Sequence, residues 1–153
     1  MIDYVPIKQT LFDRCQQYVE QRIETAKTAM EAAQSAANEE SKSSAGDKYE
    51  TGRAMAQIER DRHAQQLAEA HKLQQELSRI DVGKTYSIVQ PGSLVITSQG
   101  NYFIAISAGK LTVDQTDYFA VSAASPIAVR LSHAKPNDEV VFNGKPIRIV
   151  EIR

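Results

Sequence analysis

Two carboxylates, Asp47 and Glu50, stand three residues apart in a stretch from Glu39 to Arg53. It reads Glu-Glu-Ser-Lys-Ser-Ser-Ala-Gly-Asp-Lys-Tyr-Glu-Thr-Gly-Arg. On a helix, residues i and i+3 share a face. Two carboxylates so placed can share one divalent metal ion and leave coordination positions for water and phosphate oxygens. The plainer role of the pair is structural, with Asp47 capping a second helix and Glu50 favouring its dipole. Residue types alone favour capping, and Glu39 and Glu40 read as a solvated helix end. The remaining candidates supply no complete site. His63 and His71 are eight apart, not the i, i+4 spacing that brings two imidazoles to one metal. His133 stands alone near the end of a short predicted helix, where a cation is favoured. No Ser/His/Asp or Cys/His arrangement, phosphate loop or zinc spacing can be assembled. Chemistry at Asp47 and Glu50 would need its other half from outside this chain.

The elements that must carry this pair are two long helices. Met1 to Gln9 reads as an extended lead-in, with Pro6 a stop before the first helix. Thr10 is the candidate N-cap, and Asp13 supplies a carboxylate for the first turn. Apolar or small residues then recur at Phe12, Cys15, Val19, Ile23, Ala26, Met30, Ala33 and Ala37, a helical seam close to heptad spacing. Towards the tip the seam shrinks to alanine, which allows close approach. Beyond Ser41, Ser43, Ser44 and Gly46, a second stripe runs through Met55, Ile58, Leu67, Ala70, Leu73, Leu77 and Ile80. It is weakest around Arg62 to Gln66. Asp81-Val82-Gly83 ends it, with Gly83 the expected C′ residue. Two helices of about thirty residues at 1.5 Å rise predict an antiparallel coiled-coil hairpin about 45 Å long.

Composition divides the 153 residues in two. Residues 1–82 hold glycine only at Gly46 and Gly52 and proline only at Pro6, whereas 83–153 carry the other five glycines and four prolines together with the β-branched runs. The expected organisation is a coiled coil over 1–82 with its acidic tip near 40–51, then a β-rich module over 83–153. The first segment has 11 Lys and Arg against 14 Asp and Glu, the second 7 against 5. Neither shows the basic excess of an autonomous nucleic-acid binder, so a protein partner is the default. Cys15 is the single cysteine, which excludes an internal disulfide and fits a reducing compartment. No signal peptide and no run of 18 apolar residues is evident, so the expectation is a cytoplasmic protein with no membrane partner.

The second segment reads as short strands at Tyr86–Gln90, Ser93–Thr97, Tyr102–Ile106, Lys110–Val113 and Tyr118–Val121. Pro91-Gly92 and Gln99-Gly100-Asn101 mark turns between them. Ser125-Pro126 opens a short helix through about His133, as N-cap and first helical residue. Glu139–Phe142 and Ile147–Ile152 pair across Asn143-Gly144, the strongest hairpin signal in the chain. The predicted class is α+β, with a mainly antiparallel sheet and one covering helix.

On these residues the chain resembles the Gre family of bacterial transcription elongation factors. Ser125-Pro126-Ile127-Ala128, Leu131, Lys135, Asp138, Val140 and the closing Ile149-Val150-Glu151-Ile152 are similar to that family's C-terminal segment, with Ala128 and Asn137 where glycines are usual. Gly46-Asp47-Lys48-Tyr49-Glu50 is similar to its Gly-Asp-Leu-x-Glu tip. The resemblance implies an FKBP-like C-terminal domain that docks on RNA polymerase, with Ser125, Pro126, Lys135 and Asp138 as partner-binding positions. It implies a coiled coil that enters the polymerase secondary channel. There Asp47 and Glu50 would help hold the second Mg²⁺ of the polymerase active site, which activates a water to cleave the extruded RNA 3′ end. The factor itself would be no enzyme, and the isolated protein would bind no metal. Prolyl-isomerase activity is not expected, since few aromatics are present to line such a pocket. Where the family continues Asn-Ala-Glu-Tyr after the tip, this chain has Thr51-Gly52-Arg53-Ala54. Gly52 is expected to loosen the second helix by about 0.5–1 kcal/mol relative to Ala. Lys48 and Arg53 add positive charge that could pair with the acids or steer RNA phosphate. Two alternatives stand beside cleavage: a channel-blocking regulator with the same docking, and a coiled-coil interaction module unrelated to transcription.

Overall fold

The computed structural model describes residues 2–41 and 47–153, with side chains described for all of these except 40, 41 and 47–50. Helix α1 spans Tyr4–Ser41 and α2 spans Asp47–Ser78. Six strands and a short helix follow: β1 (Leu94–Thr97), β2 (Gly100–Ala105), β3 (Gly109–Val113), β4 (Thr116–Ser122), α3 (Pro126–Leu131), β5 (Glu139–Phe142) and β6 (Lys145–Ile152). The class is α+β, a long helical hairpin and a six-stranded mixed sheet with one short helix. By packing, the chain forms two compact units that do not follow chain order. One is Met1–Tyr18 with Gln75–Arg153, and the other is Val19–Gln74. The start of α1 and the end of α2 thus belong with the sheet.

Helix α1 begins well before the expected Thr10. Asp3 is the cap, its Oδ1 accepting the Val5 N–H at 3.1 Å, and Pro6 falls in the first turn, where a missing N–H costs nothing. Thr10 lies inside the helix and turns its hydroxyl back onto the Pro6 carbonyl at 2.9 Å. Helix α2 ends at Ser78, before the expected stop. Ile80 N–H bonds to Leu77 O at 3.1 Å, so the last turn tightens to i→i+3 spacing. Gly83 lies in a separate turn, where Asp81 Oδ1 accepts its N–H at 3.0 Å.

The seam of α1 follows its sequence pattern from Val19 onward. Val19, Ala26, Ala33 and Ala37 are buried, and Ile23 and Met30 half-buried. Before Val19 the buried apolar positions are Ile7, Leu11 and Cys15, so Leu11 replaces the expected Phe12. Steps of four residues turn the buried stripe about 40° each around a helix of 3.6 residues per turn. The stripe therefore leaves heptad phase where α1 joins the sheet's unit. On α2 the expected stripe is corrected more strongly, because Met55 and Ile58 are 64% and 66% exposed. The rest of that stripe holds, with Ala70 and Leu77 buried and Leu67, Leu73 and Ile80 half-buried, while nearer the tip half-buried Gly52, Ala56 and His63 take the inward face. Ala56, His63, Ala70 and Leu77 recur every seven residues. Towards the tip the inward positions are small, Ala33 and Ala37 on α1 and Gly52 and Ala56 on α2, and the large apolar pair is left outside.

The sheet order is β3-β4-β2-β1-β6-β5. β1 pairs antiparallel with β2 and β6, as do β3 with β4 and β5 with β6. β2 and β4 are parallel, Phe103 facing Ala120 and Ile104 facing Val121. The sheet is thus mixed, mainly antiparallel as expected but with one parallel pair. The cause is β3, which reverses at the outer edge and returns β4 to lie beside β2. That reversal runs through Asp114 (φ 50°) and Gln115 (φ 65°), and the β5–β6 hairpin through Asn143 (φ 51°) and Gly144 (φ 76°). Both are the doubly left-handed turns that match strand twist, the second as expected at Asn143-Gly144. The β1–β2 turn lies at Ser98-Gln99, with Thr97 paired to Gly100.

Tyr86–Gln90 is not a strand. It crosses the end of α3 as a loop, where Val89 N–H bonds to Ala134 O at 3.0 Å and His133 N–H to Val89 O at 2.9 Å. One sheet face buries Val95, Ile104, Ile147 and Ile149 against Ile127, Ala128 and Leu131 of α3 and against Tyr86 and Val89. The opposite face buries Leu94, Phe103, Tyr118 and Ala120, in the same compact unit as the buried Ile7, Leu11 and Cys15 of α1.

Candidate functional site

Helix α2 opens at Asp47, which places positions 47 and 50 together in its first turn. The side chains of both lie outside the described residues. The descent from this turn is described. Gly52 sits half-buried on the face that Ala56, His63 and Ala70 continue, while Arg53 is exposed. His63 carries the polar step in the seam, its Nδ1 2.9 Å from Gln66 Oε1 and its Nε2 3.6 Å from Glu59 Oε2. Glu59 also holds Arg62 at 2.6 Å, so this interruption is a small ionic network along one helix. Among the described residues, no three His, Cys, Asp or Glu side chains gather closely enough to hold a metal ion. No helix among them is long and apolar enough to cross a membrane.

The second predicted set brackets α3. Ser125 is its N-cap, with φ −65° and ψ 151°, and Pro126 is at its start. The Ser125 hydroxyl accepts the Ala128 N–H at 3.4 Å and donates to Ser122 O at 2.7 Å. At the other end, Lys135 N–H donates to Asp138 Oδ2 at 2.9 Å, and Asp138 N–H to Lys135 O at 3.0 Å. Asn137 stands at φ 75° between them, a conformation that asparagine tolerates and that suits glycine. Each of these four positions has a structural task in the backbone. The Lys135 side chain is free to meet solvent, since that residue is exposed. Beyond the cap, α3 presents Val129, 61% exposed. Arg130 Nε donates to Val141 O at 2.8 Å on the edge strand β5.

Residue spacing does not reveal a third group. Lys8, on the root of α1, is 3% exposed. Its ammonium donates to Lys84 O at 2.8 Å, across 76 positions of chain, and stands 5.0 Å from the centroid of the Tyr86 ring. Lys84 Nζ stands 5.3 Å from the same centroid. Burial holds Lys8 below the ordinary lysine range, and the nearby Asp81 carboxylate works against that shift. Tyr86 is raised by burial first and by Asp81 second. The one thiol is chemically quiet, since burial pushes Cys15 up to about 12.

No protein-family model, curated protein or solved structure matches this chain significantly. Function must therefore be argued from its residues.

Proposed function

We propose that this chain is an accessory factor of the Gre type. It binds RNA polymerase at the secondary channel and stimulates cleavage of backtracked transcripts by presenting Asp47 and Glu50 to the active-site Mg²⁺. The observation that carries this reading is that α2 begins at Asp47. Both acids then occupy one turn at a helix N-terminus, a place that favours negatively charged side chains. A long, thin hairpin with an alanine-lined seam suits insertion into a channel. A six-stranded sheet with a Ser125-Pro126-capped helix suits an FKBP-like docking domain, with Ser125, Pro126, Lys135 and Asp138 shaping the surface around α3. The nuclease belongs to the polymerase, and the factor supplies two ligands to a metal it does not hold alone. Its place of action on this reading is the cytoplasm.

The test is RNA shortening in stalled, backtracked complexes from the same organism. Wild type is expected to accelerate cleavage, and Asp47→Asn/Glu50→Gln to abolish that acceleration while still binding core polymerase. Equal rates for the two proteins would remove the cleavage role. One observation favours a second reading, a channel-blocking regulator without cleavage. Thr51-Gly52-Arg53 departs from the family's continuation, and Gly52 lies on the inward face of α2, which alters how the first turn is held. That reading requires slower nucleotide addition when the protein is present, so unchanged or faster elongation rejects it. If the chain fails to co-purify with polymerase, both readings fall and a coiled-coil interaction module replaces them.

A further inference from the structure

A cleft of about 350 Å³ opens beside the start of α1, with Ile2, Val5, Lys8, Val82, Lys84 and Arg153 among its walls. All of these belong to the unit formed by Met1–Tyr18 and Gln75–Arg153. We propose that this cleft binds a small organic anion, its carboxylate or phosphate head against Lys8 and Lys84 and its short apolar body against Ile2, Val5 and Val82. The inference does not depend on Asp47 and Glu50.

Charge supplies the first argument. A lysine 3% exposed is rare unless its ammonium is paired, because an ammonium taken out of water costs several kcal/mol unless it is compensated. Lys8 has one carbonyl and one ring face as compensation. Among the described residues, neither Lys8 nor Lys84 makes an ion pair within 4.0 Å. Two like charges instead share the Tyr86 ring, at 5.0 and 5.3 Å from its centroid. Glu151 holds Arg153, and the Asp3 carboxylate, whose Oδ1 accepts the Val5 N–H, is an anionic wall that the head group must turn away from. Asp81 favours the charged form of Lys8 electrostatically without reaching hydrogen-bond distance. An anion seated in the cleft would neutralise both lysines at once.

Shape supplies the second argument. The volume falls at the low end of small-molecule sites, about 300–1,000 Å³, which fits one head group and a body of ring size. Ile2 and Val5 are 59% and 71% exposed at its rim, apolar surface that a bare phosphate would leave wet and a ring would cover.

Calorimetric titration of the full chain tests the proposal with phenyl phosphate, benzoate, inorganic phosphate and benzyl alcohol. At least one aromatic anion is expected to bind about tenfold or more tightly than either inorganic phosphate or benzyl alcohol. Whether phenyl phosphate or benzoate wins tells a phosphate head from a carboxylate head. Lys84→Met, at an exposed position, is expected to keep the fold and weaken binding about tenfold, the share of one charge-assisted contact. Lys8→Met is expected to abolish binding. Amide shifts on titration should cluster at Val5, Gly83 and Lys84. The proposal is overturned by no saturable binding of either aromatic anion, by Lys84→Met binding as wild type does, or by shifts that map elsewhere.

Discussion

Replacing Gly92 by alanine should cost about 2–4 kcal/mol, and the two parts of that cost can be measured separately. Gly92 lies at φ +95°, and a β-carbon there would stand 2.7 Å from Tyr86 Oη and 3.2 Å from Cζ. The left-handed backbone alone costs a residue with a side chain about 1–2 kcal/mol. Overpacking against a ring that must yield adds about 1–2 kcal/mol more. Neither partner moves freely. Gly92 N–H is bonded to Ile104 O at 2.7 Å, and Ile104 N–H to Ser93 O at 3.0 Å, so β2 pins the turn from both sides. Tyr86 is buried in the α3 cluster and lies under two ammonium groups. For a chain of this size the loss corresponds to about 5–15 °C in Tm. Five of the six tyrosines belong to the sheet's unit, so near-ultraviolet tyrosine dichroism reports its melting. In a Tyr86→Ala background the steric part should vanish and the backbone part persist, giving a coupling of about 1 kcal/mol or more. A Gly92→Ala protein within 0.5 kcal/mol of wild type would refute the reasoning. An identical cost in both backgrounds would refute the steric half.

Two further expectations concern the helices. The Cys15 thiol ionises near 9.0 when unfolded but only at about 12 when folded. The proton it keeps in the native state stabilises the fold fully below pH 9, and that stabilisation is lost as pH rises towards 12. Between pH 8 and 10, wild type should lose about 1.4 kcal/mol more than Cys15→Ala; parallel denaturation curves for the two would contradict this. On α2, Ala70→Leu should cost about 1–3 kcal/mol by overpacking a position 1% exposed. Met55→Gln should stay within about 0.5 kcal/mol. The reverse ranking by chemical denaturation would put Met55 back in the seam.

Local signals were legible, and non-local ones were not. Asn143-Gly144 fixes its hairpin because the turn conformation belongs to those two residues. Ser125-Pro126 opens α3 for the same reason. On α2 the apolar stripe held from Leu67 to Ile80 and misled only near the tip, where Gly52 and Ala56 face inward and Met55 and Ile58 are left outside. The β-prone run Tyr86–Gln90 forms a loop because its hydrogen-bond partners, His133 and Ala134, sit beside α3 and not on a strand. Parallel pairing of β2 with β4 depends on where β3 lies, which no window of residues contains. The tip acids could be named from spacing and placed in one helical turn. The Lys8–Lys84 cleft could not, because its charges meet only through the fold.

The discontinuous sheet unit also sets an order of events during folding. Leu11 and Cys15 reach full burial only in a unit whose remaining residues begin at Gln75. Val19–Gln74, by contrast, is continuous in sequence, so its contacts need no residue from the later strands. As the chain leaves the ribosome the hairpin can zip first, while the α1 root waits, its apolar face uncovered, for the last strands to arrive. Mutations in Ile7, Leu11 or Cys15 should then slow the final step of folding and leave hairpin formation untouched.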